Sequence, residues 1–487
     1  MERGRASYVA QPEYHREDLR VGIVHIGVGN FHRAHQAMYL DRLLNRGEAA
    51  GWAICGVGLL PGDTRVRDAL GGQDLRYTLV ERGPDGQATA RSIGSIVEFL
   101  YAPDDPEAVF ERLAHPDTRI VSLTITEGGY NLDDGGRFDA DDPVVRRDLA
   151  PGATPATVFG VVVEGLRRRR DRGIPPFTVM SCDNLPGNGH VARQSFTAFA
   201  RLIDPELGSW VGREVAFPNS MVDRITPVTT DETRRYVAET YHVTDAWPVI
   251  CEDFTAWVLE DRFTQGRPPY QDAGVVLVPD VTPYEQMKLR LLNAGHQAIA
   301  YFGYLMGYRF AHEAIGDPAI AALVSRYMKD EAEPTLAPVP GLDLGEYQRS
   351  LLARFSNRYV PDTLLRLGTD GSDRMAQFLL PVVRDRRQRG LRSPLSAAVV
   401  ASWAAFARGV DAAGAPIIFA DRQRELVDEA VRRQADSAAG FLGVTQLVGD
   451  LGADAEFAGQ FAAVYGDIVQ HGARYALEAL TGVGSRR

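Results

Sequence analysis

The sequence lacks the features that mark several large classes of protein. Its three cysteines, Cys55, Cys182 and Cys251, form no CxxC pair, which argues against a disulfide framework or a cysteine-based metal site. No apolar run reaches the length of a membrane span, and the polar N-terminal stretch predicts no signal peptide. The net charge of −11 argues against binding to nucleic acid or to an anionic membrane. We therefore expect a cytoplasmic protein without either partner.

The length and the order of the predicted elements indicate two domains, because 487 residues are too many for one ordinary core. Up to about residue 200, short apolar strands alternate with helices, which predicts a mostly parallel sheet with crossover helices. Residues 216 and 275–278 are expected to add strands to that sheet, and residues 1–20 to form a polar arm. The four clearest predicted strands cover residues 21–27, 52–58, 119–126 and 177–182.

From about residue 280 the sequence predicts one helix after another, including a helix that Ser393 would cap. The sequence therefore predicts an α/β domain over residues 1–281 and a mainly α-helical domain over residues 282–487. The helix at the start of the second domain would lie at the domain junction, where small-molecule sites are common.

That junction helix contains an unusual set of polar residues. The segment TPYE (residues 282–285) predicts its start, with Thr282 as the capping residue of a capping box. Lys288, Asn293 and His296 interrupt the apolar stretch that follows; on an α-helix, Asn293 would lie about 140° and His296 about 80° round from Lys288. An amine, an amide and an imidazole on one side of a helix can act on a hydroxyl or a carbonyl. The alternative is a surface lysine, a capping asparagine and a core histidine with ordinary partners.

The first predicted strand ends in a glycine-rich turn that leads into a helix. This is the context of a dinucleotide-binding turn, in which amides at the helix N-terminus bind a pyrophosphate. The third glycine of the usual GxGxxG pattern is absent, because position 32 is histidine, and an ordinary strand–turn–helix is the alternative. The residues predicted to bind the cofactor here are Gly27, Val28, Gly29, Asn30 and Phe31.

Asp63 follows the second predicted strand and is the candidate to bind the ribose hydroxyls of the cofactor. A carboxylate at this place favours NAD over NADP, although the nearby Arg65 and Arg67 keep NADP possible. The first domain is therefore predicted to be a Rossmann-like domain that binds NAD.

Two further loops follow predicted strands, at the sheet edge where open α/β sheets bind ligands. In TITEGGY (residues 124–130), Thr126 is predicted to contact the cofactor and Glu127 is a possible site residue, the alternative being a turn with a solvated carboxylate. In SCDNLPGNG (residues 181–189), the amide of Asn184 can donate to an oxyanion that develops beside a nicotinamide. An Asx-turn is the alternative for Asn184.

Charged residues complete the set of candidates. Asp223 of MVDRITP can accept hydrogen bonds from substrate hydroxyls, or it can form a structural ion pair with Arg224. Arg366 and Arg374 bracket a Gly-Ser turn and can hold hydroxyls, a carboxylate or a phosphate, the alternative being a solvated surface. His32 and His35 are spaced for a metal, but no third ligand is evident, so no metal site is predicted.

Taken together, these motifs resemble those of the mannitol dehydrogenase family, the polyol-specific long-chain dehydrogenases. GVGNFHRAHQA, TITEGGYN, SCDNLPGNG, MVDRITP and KLRLLNAGH occur here in that family's order and spacing, over most of the chain. MVDRITP and the pattern Lys-x4-Asn-x2-His are specific, whereas the GxG turn alone is not. The resemblance implies a zinc-independent, NAD-dependent oxidoreductase, and a monomer, that interconverts a polyol and a ketose.

The resemblance also implies a role for each candidate residue. Lys288 would be the general base, and Asn184 and Asn293 would donate to the oxyanion. Glu285 is a candidate proton relay, although capping is its simpler role. The residues that would position the substrate are His296, Asp223, Arg366 and Arg374, the last standing where family members often have lysine.

The substrate stays open among several classes. D-mannitol with D-fructose is favoured, and D-arabinitol with D-xylulose comes next. The alternatives are a hexuronate reductase of the fructuronate type, a sugar-phosphate dehydrogenase and, from a different functional class, a non-catalytic nucleotide- or sugar-binding protein.

Overall fold

The computed structural model describes residues 8–133, 135–411 and 413–484. The chain divides into two compact units, one ending at Thr282 and the other beginning at Pro283. The first unit is α/β and the second is almost entirely helical, so the predicted fold class is confirmed. None of the helices in the described residues is long and apolar enough to cross a membrane.

The strands all lie in the first unit. In chain order they are β1 Val9–Ala10, β2 Val21–Ile26, β3 Ala53–Gly58, β4 Tyr77–Arg82, β5 Ala88–Ile93, β6 Ile96–Tyr101, β7 Ile120–Leu123, β8 Thr178–Ser181, β9 Ser220–Asp223, β10 Val249–Glu252, β11 Ala256–Glu260 and β12 Val276–Val278. The helices of this unit are α1 Asn30–Ala34, α2 Gln36–Asn45, α3 Thr64–Gly71, α4 Pro106–Ala114, α5 Pro143–Asp148, α6 Val158–Asp171, α7 Asn188–Ile203, α8 Pro205–Glu214 and α9 Asp231–Tyr241.

The main sheet has five strands in the order β6-β3-β2-β7-β8, and every neighbouring pair is parallel. Both faces are covered: Ile23 packs into the apolar cluster that contains α2, and Val24 into the cluster on the opposite face. Burial on both faces explains why these strands are continuous apolar runs rather than alternating ones. Because β3, β2, β7 and β8 run parallel, the loops that follow them all leave the same edge of the sheet.

The prediction that residues 275–278 complete this sheet was wrong. β12 pairs with β11 in a separate three-stranded sheet of order β12-β11-β9. Residue 216 forms no strand, although the Ala216 carbonyl accepts a hydrogen bond from the Val179 amide, 3.0 Å away. An apolar run indicates a strand but not its neighbours, which depend on tertiary packing.

A third sheet has the order β1-β5-β4-β10. Its edge strand β1 buries Val9 against β5, so at least this part of the predicted polar arm belongs to the fold.

The second unit consists of α-helices and π-helices, with short 3-10 helices at Glu333–Thr335, Gly440–Gly443 and Gly449–Ala453. The α-helices are α10 Thr282–Met287, α11 Ala294–Leu305, α12 Ala311–Ile315, α13 Pro318–Arg326, α14 Leu344–Phe355, α15 Leu364–Gly368, α16 Gly371–Arg374, α17 Leu380–Gln388, α18 Pro394–Ala407, α19 Arg424–Asp436, α20 Thr445–Val448, α21 Ala455–His471 and α22 Ala473–Thr481. Three further segments, Lys288–Asn293, Tyr327–Ala332 and Met375–Leu379, are π-helical. In a π-helix each amide bonds five residues back rather than four, and such segments occur frequently at functional sites.

The apolar helix α18 begins where the sequence predicts, but its predicted cap was wrong. Ser393 occupies the capping position without making a side-chain capping bond. The Glu331 carboxylate accepts the amides of Leu395 at 2.8 Å and Ser396 at 2.9 Å instead. Local sequence rules cannot identify a capping group that comes from a different segment of the chain.

Candidate active site

The turn after β2 is shaped by its first glycine. Gly27 has φ +95°, and a Cβ atom there would lie 2.1 Å from the Thr124 carbonyl oxygen of the loop after β7. Only glycine fits this approach. The Gly29 amide donates to the Gly27 carbonyl at 2.7 Å, and Gly29 is the capping residue of α1. The turn can therefore present backbone amides at the edge of the sheet.

The other three predicted residues of the turn have side chains that point into the protein. Val28 is buried and packs against Gly56 on β3. The Asn30 amide group donates to the Pro227 carbonyl and to the Thr229 hydroxyl, each at 2.9 Å. Phe31 stacks on His35, with ring centroids 4.9 Å apart. Their side chains hold the turn in place, which leaves their backbone for any cofactor.

His25, inside β2, is a residue that the sequence reasoning missed. Its Nδ1 lies 2.8 Å from the Ser122 hydroxyl, and its Nε2 lies 3.1 Å from the Gly27 carbonyl and 3.0 Å from the Thr124 hydroxyl. Burial lowers the pKa of His25 to about 3, so the ring is neutral at ordinary pH. The ring ties the glycine turn to β7. The only sequence signal was a histidine within an otherwise apolar strand.

The two histidines whose spacing would suit a metal, His32 and His35, pack against other rings. His32 and His35 are both buried, and His32 stacks on His25 with ring centroids 3.3 Å apart. In the part of the chain that the structure describes, no group of three or more His, Cys, Asp or Glu side chains is arranged to hold a metal ion.

Asp63 follows β3 and folds back onto its own loop. One carboxylate oxygen accepts the amides of Leu59 at 2.9 Å and Leu60 at 2.8 Å. Arg67 is paired with Asp104 at 2.7 Å, as well as with its neighbour Asp68. The carboxylate is thus fixed at the end of β3, with its second oxygen available to a ligand hydroxyl.

The loops after β7 and β8 are joined by a buried carboxylate that sequence reasoning also missed. Asp183 accepts the amides of Thr126 at 2.8 Å and Ile125 at 3.2 Å, and the hydroxyl of Tyr130 at 2.7 Å. Burial raises the pKa of Asp183 to about 6. Its bonds hold Thr126 at φ +65°, a conformation that is strained for a β-branched residue and that is found mainly at functional sites. Asn184, the predicted oxyanion donor, follows directly.

Arg224 forms a buried ion pair, but with Glu81 rather than with the neighbouring Asp223. The Arg224 guanidinium is buried and lies 2.5 Å from Glu81, and it also donates to the Ala34 carbonyl at 2.7 Å. Asp223, at the end of β9, is buried as well. Arg224 therefore serves the fold, and the predicted substrate contact of Asp223 stays a prediction.

In the second unit, the start of the junction helix differs from the predicted capping box. The helix begins at Thr282 itself, and the amide of Thr282 donates to the Asp280 carboxylate at 2.9 Å. Thr282 is therefore part of the helix rather than its capping residue, because a better-placed carboxylate lies two residues before it.

The π-helical segment changes the geometry predicted for Lys288 and Asn293. The α-helical separation of about 140° was wrong, because in a π-helix each amide bonds to the carbonyl five residues back rather than four. Residues five apart in a π-helix face the same side, as residues four apart do in an α-helix. His296 lies three residues beyond Asn293 on α11 and continues that face. The three polar residues therefore form one row, which we call the polar row.

The polar row is well shielded. Lys288 is 5% exposed and His296 is 7% exposed. The side-chain oxygen of Asn293 is buried and has no hydrogen-bond partner among the described residues. Buried polar atoms are rarely left in this state, so the row has the character of a binding site rather than of a packed core.

His296 is a neutral imidazole that packs 4.7 Å from the ring of Phe355. Burial lowers its pKa to about 3; Asp362 opposes this shift, while Arg366, Arg354 and Arg374 add to it. A neutral imidazole can both donate a hydrogen bond and accept one, which suits a hydroxyl group.

The two predicted arginines differ in their surroundings. Arg366 is clamped by the Asp362 carboxylate, with Nε 2.6 Å from Oδ1 and a second bond to Oδ2. Among the described residues, Arg374 donates only a long bond, 3.4 Å, to the Leu367 carbonyl. Asp362 therefore balances one of the two charges, and it lies four residues before Arg366 along the chain.

Two family models and a known protein match this chain over most of its length. The family model of the mannitol dehydrogenase Rossmann domain matches residues 21–272, and that of the mannitol dehydrogenase C-terminal domain matches residues 280–469. Mannitol 2-dehydrogenase of Cereibacter sphaeroides is 44% identical over 469 residues, which cover 96% of this chain and 98% of that protein.

Two solved structures are also similar over nearly the whole chain. Mannitol 2-dehydrogenase of Pseudomonas fluorescens, in a ternary complex with NAD and D-mannitol, matches with a TM-score of 0.92 and 45% identity, over 98% of this chain and 97% of that one. A D-sorbitol dehydrogenase in substrate-free form matches with a TM-score of 0.86 and 39% identity, over 96% and 97% of the two chains.

The buried state of His296 predicts a specific pH dependence of stability. The pKa of His296 is about 3 in the folded protein, whereas the ordinary value of 6.5 applies to the unfolded chain. Below pH 6.5 the unfolded chain therefore takes up a proton that the folded protein does not. This residue should cost the fold about 2 kcal/mol at about pH 5 relative to about pH 8. Urea unfolding at both pH values should show a smaller loss for His296→Asn than for the parent. An equal loss in the two proteins would contradict the neutral, buried state of this ring.

Proposed function

This chain belongs to the mannitol dehydrogenase family, and from that premise we propose that it is an NAD-dependent polyol dehydrogenase that interconverts D-mannitol and D-fructose. The observation that carries the proposal is the polar row, in which a buried amine lies in line with an amide and a neutral imidazole. The reaction removes a proton from the hydroxyl of a secondary alcohol and a hydride from its carbon. We take the monomer as the active form.

The first unit fits NAD. Gly27 lets the turn pass close to the Thr124 carbonyl, and the amides of the turn can bind a pyrophosphate. The free oxygen of Asp63 can bind a ribose hydroxyl, and a carboxylate there disfavours the 2′-phosphate of NADP. The loop at Thr126, whose strained backbone is held by Asp183, is assigned to bind the same cofactor. When bound, the nicotinamide supplies the acceptor for the hydride.

Lys288 is assigned as the general base. Only two of the 53 basic residues of the chain are lysines, Lys288 and Lys329. Lysine can give up its proton in a buried site, whereas arginine cannot. Lys288 is buried and Lys329 is exposed, and burial disfavours the charged form of an amine. Lys288 then accepts the hydroxyl proton of the alcohol.

The two asparagines are assigned to the oxygen of the reacting carbon. As the proton leaves, negative charge builds on this oxygen, and preorganised amide donors stabilise it. Asn293 shares the face of Lys288, and Asn184 follows the strained loop that Asp183 fixes. With an amine and two amides in these roles, the reaction needs no zinc.

The remaining residues handle the other hydroxyls and the proton. His296 donates to one hydroxyl or accepts from it, and Asp223 accepts from another. Glu285 is half-buried and lies three residues before Lys288, a spacing that places two helical residues side by side. It is assigned to pass the proton from Lys288 to water.

The charge around the arginines favours a neutral substrate. Because Asp362 balances Arg366, Arg374 is the one of these two arginines left to face a ligand with a full charge. A doubly charged phosphate would be poorly balanced there, whereas hydroxyls fit both arginines. The D-sorbitol dehydrogenase relative makes D-sorbitol a second candidate polyol, beside D-arabinitol. A hexuronate carries one carboxylate and remains the alternative that Arg374 suits.

The proposal is tested by following reduced-nicotinamide absorbance in the presence of a chelator. D-fructose, D-xylulose, fructuronate and fructose phosphates are each assayed with NADH and NADPH, and D-mannitol, D-sorbitol and D-arabinitol with the oxidised cofactors. We expect turnover of D-fructose with NADH that the chelator does not reduce.

Each other outcome of this assay contradicts a stated part of the proposal. Turnover of the charged sugars alone would indicate that Arg374 binds their negative charge, and it would refute the polyol substrate. Loss of activity with the chelator would refute the metal-free reaction. Tight NADH binding without any turnover would indicate a binding protein.

A lysine-to-arginine exchange tests the base. Lys288→Arg keeps the positive charge but removes the ability to accept a proton, so kcat should fall about 10²–10⁴-fold while NADH binding is unchanged. The exposed Lys329→Arg is the matched control and should keep the parent's kcat. Near-normal turnover in Lys288→Arg would refute the assignment.

A further inference from the structure

The π-helical register of the polar row depends on a hydrogen bond from outside its own helix. At the end of the segment, the Ala294 amide bonds to the carbonyls of Leu289 and Leu291 and passes over that of Arg290. In an α-helix this amide would bond to Arg290. The Tyr327 hydroxyl donates to the Arg290 carbonyl instead, at 3.0 Å. Tyr327 is fully buried, so no water competes for the carbonyl.

The side chain of Arg290 is anchored as well. Its Nη1 donates to the Asp385 carboxylate at 2.6 Å and to the Thr335 carbonyl at 3.1 Å. The next residue of α17, Arg386, donates to the Asp330 carbonyl at 2.7 Å, within the π-helical segment that Tyr327 begins. The same helix therefore holds both π-helical segments, and the middle of Lys288–Asn293 is fixed through its backbone and its side chain.

We propose that Tyr327 is a positioning residue for the reaction, which acts through the Arg290 carbonyl to keep Lys288 in line with Asn293 and His296. Without the hydroxyl, the Arg290 carbonyl would be buried without this donor, and the Ala294 amide could satisfy it only in the α-helical register. That change of register turns Lys288 by about 100° relative to Asn293. The inference rests on the proposed function, because it assigns Lys288 and Asn293 to the same reacting group.

Tyr327→Phe tests this inference because it removes only the hydroxyl. A displacement of about 1 Å at a reacting group costs about 10²-fold, so we expect kcat for polyol oxidation to fall by about that factor. NADH affinity should be unchanged. The pH midpoint of kcat should move upward, because a displaced lysine regains water and approaches its ordinary pKa. A purely structural loss would lower the amount of folded enzyme without moving this midpoint.

The matched control is Tyr308→Phe in the same unit. The Tyr308 hydroxyl donates to the Asp317 carboxylate at 3.0 Å and contacts no π-helical residue in the described bonds. It should keep the parent's kcat and pH midpoint. If Tyr327→Phe kept kcat within about twofold of the parent, or lost kcat at the parent's midpoint, the positioning role would be overturned.

A second variant covers the case in which Tyr327→Phe does not fold. Asp385→Asn weakens the other anchor of Arg290 at a half-exposed site, and it should lower kcat and raise the midpoint in the same directions. If Asp385→Asn kept the parent's kcat and pH midpoint, the inference would be overturned. Failure of the proposed function is separate: an active Lys288→Arg enzyme refutes the base, whereas an inactive Lys288→Arg with a parent-like Tyr327→Phe refutes only the positioning.

Discussion

The second unit depends on one constraint, the π-helical register between Lys288 and Asn293. A helix that carries an amine, an amide and an imidazole at these positions could not align them in the α-helical register. The extra residue in the π-helical turn aligns them. The Arg290 carbonyl then accepts a hydrogen bond from Tyr327 on a neighbouring helix. The polar partners of Arg290, which are Tyr327, Asp385 and Thr335, are buried or half-buried. The stability of this part of the unit and the geometry of its polar row therefore have the same cause.

In the first unit, four loops are fixed at one edge of a parallel sheet. Two buried titratable groups join three of these loops, and Asp63 holds the loop after β3. His25 ties the Gly27 turn to β7, and Asp183 ties the loop after β7 to the loop after β8. Both have shifted pKa values because they are buried, His25 downward and Asp183 upward. Such shifts, at the ligand-binding edge of an open sheet, are typical of functional sites.

The parts of the structure that were predictable from sequence are those set by local pattern. Apolar runs and glycine turns indicated the parallel sheet, and helical periodicity indicated the second unit. The strand β12 was found but assigned to the wrong sheet, because its neighbours are chosen by packing. The π-helical register was not predictable, since a pattern with a period of about 3.6 residues contains no sign of one inserted residue.

The partners of buried charges were also beyond the sequence. Glu81 beside Arg224 and Glu331 at the start of α18 are separated from their partners by distances along the chain that no motif spans. Asp362 lies only four residues before Arg366, so this pair is local in sequence. The polar row itself was recognisable as a set of residue types. Its alignment, its burial and its balance of charge were visible only in three dimensions.

We expect the buried Lys288 amine to lose its proton more readily than an exposed lysine does. Because the chain has only two lysines, labelling with [ε-¹³C]lysine gives two NMR signals, and Lys329→Arg assigns them. We predict that the Lys288 signal titrates at least about one pH unit below that of the exposed Lys329, whose reference is the ordinary lysine value of about 10.4. Two signals that titrate together near that value would contradict the account.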